Sequence, residues 1–266
     1  MAVNQAPVGN PRQVALQVSF PDAHQAAQDI SALRQVFQNI QADSCPHTYN
    51  FHMHTVYSDG QLQPESLIEQ ACRLGLRGLA ITDHHTVKGY KLAQQWLIDR
   101  SPETSLEHPQ ENSPENPPDN PSNNTKLTLP HLWTGVEITS HLIGTEVHIL
   151  GYGFNPDHQK ILPYLQGTAP QEEQAHAAQV IRAIQQAGGL AILAHPARYR
   201  QPTEQVVTAA VQLGIDGVET YYAYNNPNPW QTSPDQSQQI KSLSKLYNLL
   251  NTCGTDTHGL DLLRRI

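Results

Sequence analysis

Positive charge is what this sequence is short of: Lys and Arg number 16 against 24 Asp and Glu among 266 residues, for a formal charge of −8. So acidic a chain has no basic footprint for a duplex nucleic-acid backbone or an anionic membrane. Thiols are scarce too. Cys45, Cys72 and Cys253 lie far apart with no Cys-x-x-Cys pair, which excludes a zinc–thiolate knuckle and argues against a disulfide scaffold. No run approaches 18 apolar residues, so no membrane span is expected. The first 30 residues lack the basic start and apolar run of a signal peptide. A cytoplasmic protein is the expectation. If its substrate is an anion, something other than Lys and Arg must hold it, and metal ions are the candidates.

The chain is long enough to bury a sizeable core. Residues 1–45 read as an N-terminal extension, in which Ile30, Leu33, Val36, Phe37 and Ile40 recur at helical spacing. From residue 46 to 266 strand and helix patterns alternate about seven times. Strands fit Tyr49–His54, Leu79–Thr82, Thr134–Thr139, Glu146–Tyr152, Leu190–Ala194, Gly217–Tyr221 and Leu249–Gly254. Helices fit residues 64–74, with Pro64 near the start and Gly75 as the cap, and then 89–99, 171–187, 204–213 and 236–247. Such alternation argues for an α/β fold with a parallel sheet, open or closed into a barrel. One stretch interrupts it. Residues 101–130 hold seven prolines, five asparagines and no aromatic residue, a composition that cannot bury a core and reads as a disordered loop.

The informative side chains fall at the carboxyl ends of these strands, where parallel α/β folds place their sites. His52 and His54 alternate on the first strand and so face one side. Asp59 follows on a turn, His84 ends the second strand, and Glu137 and His148 lie on the next two. His195 closes the fifth, and Asp256 and His258 follow the last. Singly, each has a plain explanation: His-x-His pairs arise by chance, and an Asp after a strand usually caps a helix. Jointly they do not, because six of the 14 histidines and three carboxylates fall at successive strand ends. Imidazoles mixed with carboxylates suit zinc, manganese or iron. Nine candidate ligands exceed the three or four of one catalytic zinc, which implies two or three divalent ions.

The motifs His52-Met-His54-x4-Ser58-Asp59-Gly60, Thr82-Asp83-His84, Gly135-Val-Glu137, Ala194-His195-Pro196 and Gly254-Thr-Asp256-x-His258, with the His148 strand, resemble those of the PHP (polymerase and histidinol phosphatase) family. The resemblance runs from about residue 49 to 259. It implies a distorted (β/α)7 barrel with a trinuclear metal centre at the carboxyl ends of the strands. It assigns His52, His54, Glu137 and Asp256 to one metal, Glu137 as a bridge with His148 and His195 to a second, and Asp59, His84 and His258 to a third. Asp59 stands where the histidinol phosphatases tend to carry histidine. The sequence is therefore closest to the branch acting on nucleotide phosphates, such as nucleoside 3′,5′-bisphosphates and short oligonucleotides.

The expected chemistry is phosphate-ester hydrolysis by a metal-bridging hydroxide, since bound metal lowers the pKa of water and neutralises phosphate charge. Arg198, three residues after His195, is a candidate to grip phosphate; Lys88 is a second. His85 or Tyr199 is a candidate proton donor to the leaving oxygen. Tyr221, Tyr222 and Tyr224 form either a base-stacking platform or a packed strand end. The expected partner is a small phosphorylated substrate. Two alternatives stay open: a phosphatase of another small metabolite such as histidinol phosphate, and a non-catalytic metal-binding module. Only 46 residues separate His148 from His195, enough for a loop and one helix, so the cluster is expected to be open.

Replacing Glu103–Asn124 with a short Gly/Ser link should leave folding and turnover intact, because long flexible insertions add little closure entropy. A thermal melt checks this: a fall in Tm beyond roughly 10 °C, more than one ordinary mutation produces in a domain of this size, would show that the segment packs on the rest.

Overall fold

The computed structural model describes residues 23–100 and 129–266. The readings made for residues 1–22, and for all but the last two residues of the Pro/Asn-rich stretch, lie outside the described residues. Helix α1 spans Ala23–Ala26 and α2 spans Ile30–Asn39. Asp29 caps α2 by accepting the Ala32 N–H at 2.9 Å, which satisfies one of the free donors of the first turn. The apolar stripe read from the sequence is the face that packs. Leu33, Phe37 and Ile40 are buried in one cluster with Phe51, Leu150, Tyr152, Leu190 and Ile192. Phe37 meets Phe51 edge-on at 4.9 Å between ring centroids and Tyr152 at 5.5 Å, the favoured geometry for aromatic pairs.

Eight strands occur among the described residues. β1 (Tyr49–Asn50), β2 (Gly78–Ala80) and β3 (His131–Trp133) form a parallel sheet in that order. β4 (Gly135–Leu142), β5 (Thr145–Tyr152), β6 (Leu190–Leu193), β7 (Gly217–Tyr221) and β8 (Leu250–Cys253) form a second, also in sequence order. Helices fill the gaps: α3 (Pro64–Leu74), α4 (Lys88–Asp99), α5 (Ala177–Gln186), α6 (Thr203–Gln212) and α7 (Pro234–Leu246). Gly75 ends α3 at φ 73°, a left-handed cap that a residue with a side chain adopts only at a cost. Helix 171–187 of the sequence reading is in fact two pieces. A 3₁₀ turn over Glu172–Ala175 precedes α5, and His176 is extended between them.

The all-parallel expectation needs a correction at β4–β6. β4 and β5 form an antiparallel hairpin, and β5 also pairs antiparallel with β6. The hairpin turn is Ile143-Gly144, both at positive φ (44° and 76°), the conformation of a tight two-residue connection whose twist suits the strands. β3 and β4 are separated only by Thr134 and carry the chain from one sheet to the other.

Backbone bonds tie the sheets together along both margins. On one, the chain after β1 pairs with the chain after β8: Phe51 N–H donates to Cys253 O at 3.1 Å, Asp256 N–H to His52 O at 2.8 Å and His54 N–H to Thr257 O at 3.0 Å. On the other, His85 N–H donates to Glu137 O at 3.0 Å. Gly254 permits the first approach, since a Cβ there would lie 2.1 Å from the Cβ of His52. Both contacts draw strand ends together at one place. No helix among the described residues is long and apolar enough to cross a membrane.

Because Phe37 is fully buried among aromatic rings, Phe37→Ala should cost about 3–5 kcal/mol through lost burial and the cavity left behind. Denaturant unfolding measures it; a loss under about 1 kcal/mol would show that α2 is only loosely attached to the core.

Candidate metal centre

The site forms where strand ends from both sheets meet around Glu137. β4 turns Val136 and Ile138 outward to the helices, so alternation turns Glu137 inward, where it is 1% exposed. Its Oε2 lies 3.0 Å from His52 Nε2, 3.1 Å from His54 Nε2 and 3.6 Å from His84 Nε2. Its Oε1 lies 2.8 Å from His148 Nδ1 and 3.4 Å from His195 Nε2. One carboxylate thus faces five imidazoles from four segments. Asp256 Oδ1 adds a second acid, 3.4 Å from His52 Nε2 and 3.2 Å from His54 Nε2. Asp59 Oδ2 lies 3.2 Å from His258 Nε2 and 3.6 Å from His84 Nε2.

All nine residues singled out in the sequence therefore come together. Eight of them fall into three overlapping groups: His52, His54, Glu137 and Asp256; His84, Glu137 and His148; and His54, Asp59, His84 and His258. The first matches the grouping implied by the family resemblance. The second includes His84, which the resemblance placed only in the third group, with His195 beside it on Glu137. Burial grades across the set. His52 and His54 are sealed, while Asp59 is 52% exposed.

The donor set fits metal ions. Two ligands of one ion at about 2.1 Å lie about 3.0 Å apart at a right angle and about 3.4 Å apart at a tetrahedral angle, and most of the separations above fall near that range. His54 Nε2 also makes no hydrogen bond, although it is buried and faces two carboxylates. Two acids converging in a sealed space without a resident cation are costly.

Electrostatics tell the same story. Burial disfavours protonation of His52 and His54, yet neighbouring carboxylates outweigh it. His52, facing Glu137, Glu219 and Asp256, is raised well above the ordinary histidine value, and His54, close to the charges of Asp256 and Glu137, is pushed up to about 9. Burial also works against ionisation of Glu137, but His52 and His148 hold its carboxyl well below the usual range. His84 goes the other way, down to about 4, because burial dominates and His54 repels its proton.

Other side chains hold the cluster. Asp256 Oδ2 accepts from Tyr222 Oη at 2.7 Å, Arg265 Nε at 2.8 Å and an Arg198 guanidinium nitrogen at 3.2 Å. That leaves Oδ1 for the histidines. Asp83, fully buried, accepts the Thr55 N–H at 2.6 Å, the Thr55 hydroxyl at 2.7 Å and the Ser58 hydroxyl at 3.0 Å, and so fixes the turn that presents Asp59. Glu219 Oε1 lies 2.9 Å from His52 Nδ1. His85, His195 and Asp256 all have positive φ (55°, 24° and 53°), backbone strain of the kind that collects at functional sites.

Arg198 sits on a 3₁₀ turn after His195, partly exposed and bonded to Asp256. His85 is buried beside His84, 5.9 Å between ring centroids, with Nε2 3.2 Å from the Thr139 hydroxyl; burial lowers its basicity. Tyr199 has its hydroxyl occupied, donating to Ala194 O and accepting the His148 N–H, so it is spent on structure. Tyr221 and Tyr222 are buried, which resolves the tyrosine cluster in favour of packing. Lys88 is exposed at the start of α4. Glu219, Tyr222, Asp83 and Arg265 went unassigned as supports in the sequence reading. Glu219 alone had a signal there: Gly217-Val-Glu219 repeats the Gly135-Val-Glu137 pattern one strand end away.

The PHP domain family profile matches residues 50–226. A 5′-3′ exoribonuclease of Haemophilus influenzae is 24% identical over 280 residues, covering 79% of this chain and 89% of its own. Two solved structures share the fold. One is a protein of Bifidobacterium adolescentis put forward as a metal-dependent phosphoesterase, at TM-score 0.57 and 21% identity, covering 80% of this chain and 88% of its own. The other is an amidohydrolase of Chromobacterium violaceum with bound sulfate and no metal, at TM-score 0.59 and 18% identity with the same coverage.

The shifted histidines predict how metal-free protein melts. His52 and His54 titrate above the ordinary value of about 6.5, so their stabilisation is full below that value and is lost as pH rises through their raised values, about 9 for His54. Chelator-treated protein should therefore lose Tm between about pH 7 and 10, whereas metal-loaded protein, whose ions supply the positive charge, should lose much less. Equal slopes in the two melts would mean that the histidines do not carry that charge.

Proposed function

Since this chain belongs to the PHP domain family and is a metal-dependent phosphoesterase, we propose that its substrates are nucleotide phosphates, either nucleoside 3′,5′-bisphosphates or short oligonucleotides. The observation that carries this reading is its similarity to the Haemophilus protein over most of both chains. Asp59, set between His84 and His258, agrees with it. The same reading takes the two sheets, bonded along both margins with β3 and β4 as one bent strand, as a distorted (β/α)7 barrel.

In this proposal the nine clustered residues hold two to three ions of manganese, iron or zinc. Such ions lower the pKa of water and neutralise charge on the phosphate under attack. The protein's own part is placement. Glu137 joins two groups, because its two oxygens face different histidines. Asp59, His84 and His258 form the solvent-facing side, where a phosphate arriving from water first meets the cluster. Arg198 stands at the rim, with a single guanidinium nitrogen engaged by the protein, and its remaining donors suit a second phosphate. His85 is the candidate proton donor to the leaving oxygen, and the proton it would deliver is the one the attacking water gives up, so that the hydrolysis balances.

The test is a profile of kcat/KM with Mn²⁺ for a nucleoside 3′,5′-bisphosphate, a 5′-phosphorylated trinucleotide, histidinol phosphate and an aryl phosphate. A nucleotide substrate should lead, with the aryl ester slower but measurable. Histidinol phosphate ahead by tenfold or more would overturn the reading. Glu137→Ala should lower kcat/KM by on the order of a hundredfold, more than His258→Ala. Arg198→Ala should raise KM for the bisphosphate above all. An equal effect on both esters would leave Arg198 only its bond to Asp256. His85→Gln should slow nucleotides more than the aryl ester, whose leaving group needs no proton.

A further inference from the structure

Glu219 is a fully buried carboxylate that touches the cluster without turning an oxygen into it. It lies on β7 and both oxygens are engaged, Oε1 at 2.9 Å from His52 Nδ1 and Oε2 accepting the backbone N–H of His195 at 2.8 Å. Among the described residues no Lys or Arg pairs with it. A sealed carboxylate costs several kcal/mol when its partners are poor, so both contacts require a reason.

The first contact settles a tautomer. With the Nδ1 proton of His52 on Glu219, the ring's lone pair is on Nε2, the atom facing Glu137 Oε2 and Asp256 Oδ1. A carboxylate behind a ligating imidazole fixes its orientation and raises its basicity.

The second contact settles a backbone. Leu190, Ile192 and Ala194 share the inward face of β6, so strict alternation would turn the next residue, His195, away from the site. Instead His195 adopts φ 24° and ψ 60°, and its Nε2 comes to 3.4 Å from Glu137 Oε1. Non-glycine residues in such a conformation need support from their surroundings. The N–H of that strained residue is the group Glu219 holds.

We propose that Glu219 is a positioning residue for both ends of the Glu137 bridge, fixing His52 on the Oε2 side through its ring and His195 on the Oε1 side through its backbone. The inference rests on reading His52 and His195 as metal ligands. It is tested through metal binding, so a failed nucleotide profile would leave it standing.

In Glu219→Gln one oxygen becomes an NH2, so in this geometry the side chain can accept from His52 Nδ1–H or from the His195 N–H, and not from both. Competition against a fluorescent chelator should show Mn²⁺ and Zn²⁺ bound about 10–100-fold more weakly, with the far-ultraviolet circular dichroism unchanged. Affinity within twofold of wild type for every equivalent overturns the proposal, and an equal loss of Tm in chelated and loaded protein at retained affinity assigns Glu219 to packing. Should the variant fail to fold, the unmodified Zn²⁺-loaded protein decides. Its ¹⁵N imidazole spectrum should show His52 protonated at Nδ1 and metal-bound at Nε2, and a proton on Nε2 overturns the proposal.

Discussion

Everything at this site depends on one buried carboxylate whose two oxygens face five imidazoles. Glu137 draws His52, His54 and His84 to one oxygen and His148 and His195 to the other. Those five rings come from four separate stretches of chain. They converge only because the strand ends are bonded across the two sheets, and Gly254, which lets the chain after β8 lie against His52, is part of the cost of that convergence. The apolar core beneath has a matching task. α2 and the rings of Phe37, Phe51 and Tyr152 fill the interior below the cluster, keeping water from the sealed side and confining access to the other.

Much of the site was legible in the sequence, because its clustered histidines and carboxylates are carried at strand ends whose side chains have few other reasons to be ionisable. His52 and His54 were visible as a pair for that reason. The hairpin was not. The sequence reading put no helix between these two strands, but the alternation along the rest of the chain argued for a parallel sheet, and the positive φ of both turn residues marks the reversal. The support residues were harder still. Tyr222 and Arg265 act through Asp256 Oδ2, and their role depends on which oxygen of one carboxylate faces outward, a fact no spacing encodes. His195 shows the limit well: alternation from Ala194 points it away, and a strained backbone angle brings it back.

Glu137 and Glu219 show how little local sequence decides once the strands are placed. Both follow Gly-Val on a strand, both face inward, and both are sealed. Glu137 lies level with the ring nitrogens that face the interior, so its oxygens enter the cluster. Glu219 lies behind His52, level with the opposite ring nitrogen, so the same carboxylate orients instead of joining. A difference of one ring width separates the two roles.

The gradient of burial explains how a chain of net −8 can work on an anion. Acids placed at the surface would repel a phosphate; these are sunk beneath histidines and, once cations are bound, inverted in sign. The sealed group of His52, His54, Glu137 and Asp256 is screened little by solvent, so a cation there is held by interactions that water weakens only slightly. Asp59, half exposed, works in a higher dielectric, and its hold on a cation is correspondingly weaker. If, as proposed, more than one cation binds, one at the mouth would exchange most readily and be the one a substrate's phosphate can help to retain. Binding the substrate and completing the metal set would then be coupled events, each favouring the other by the same factor.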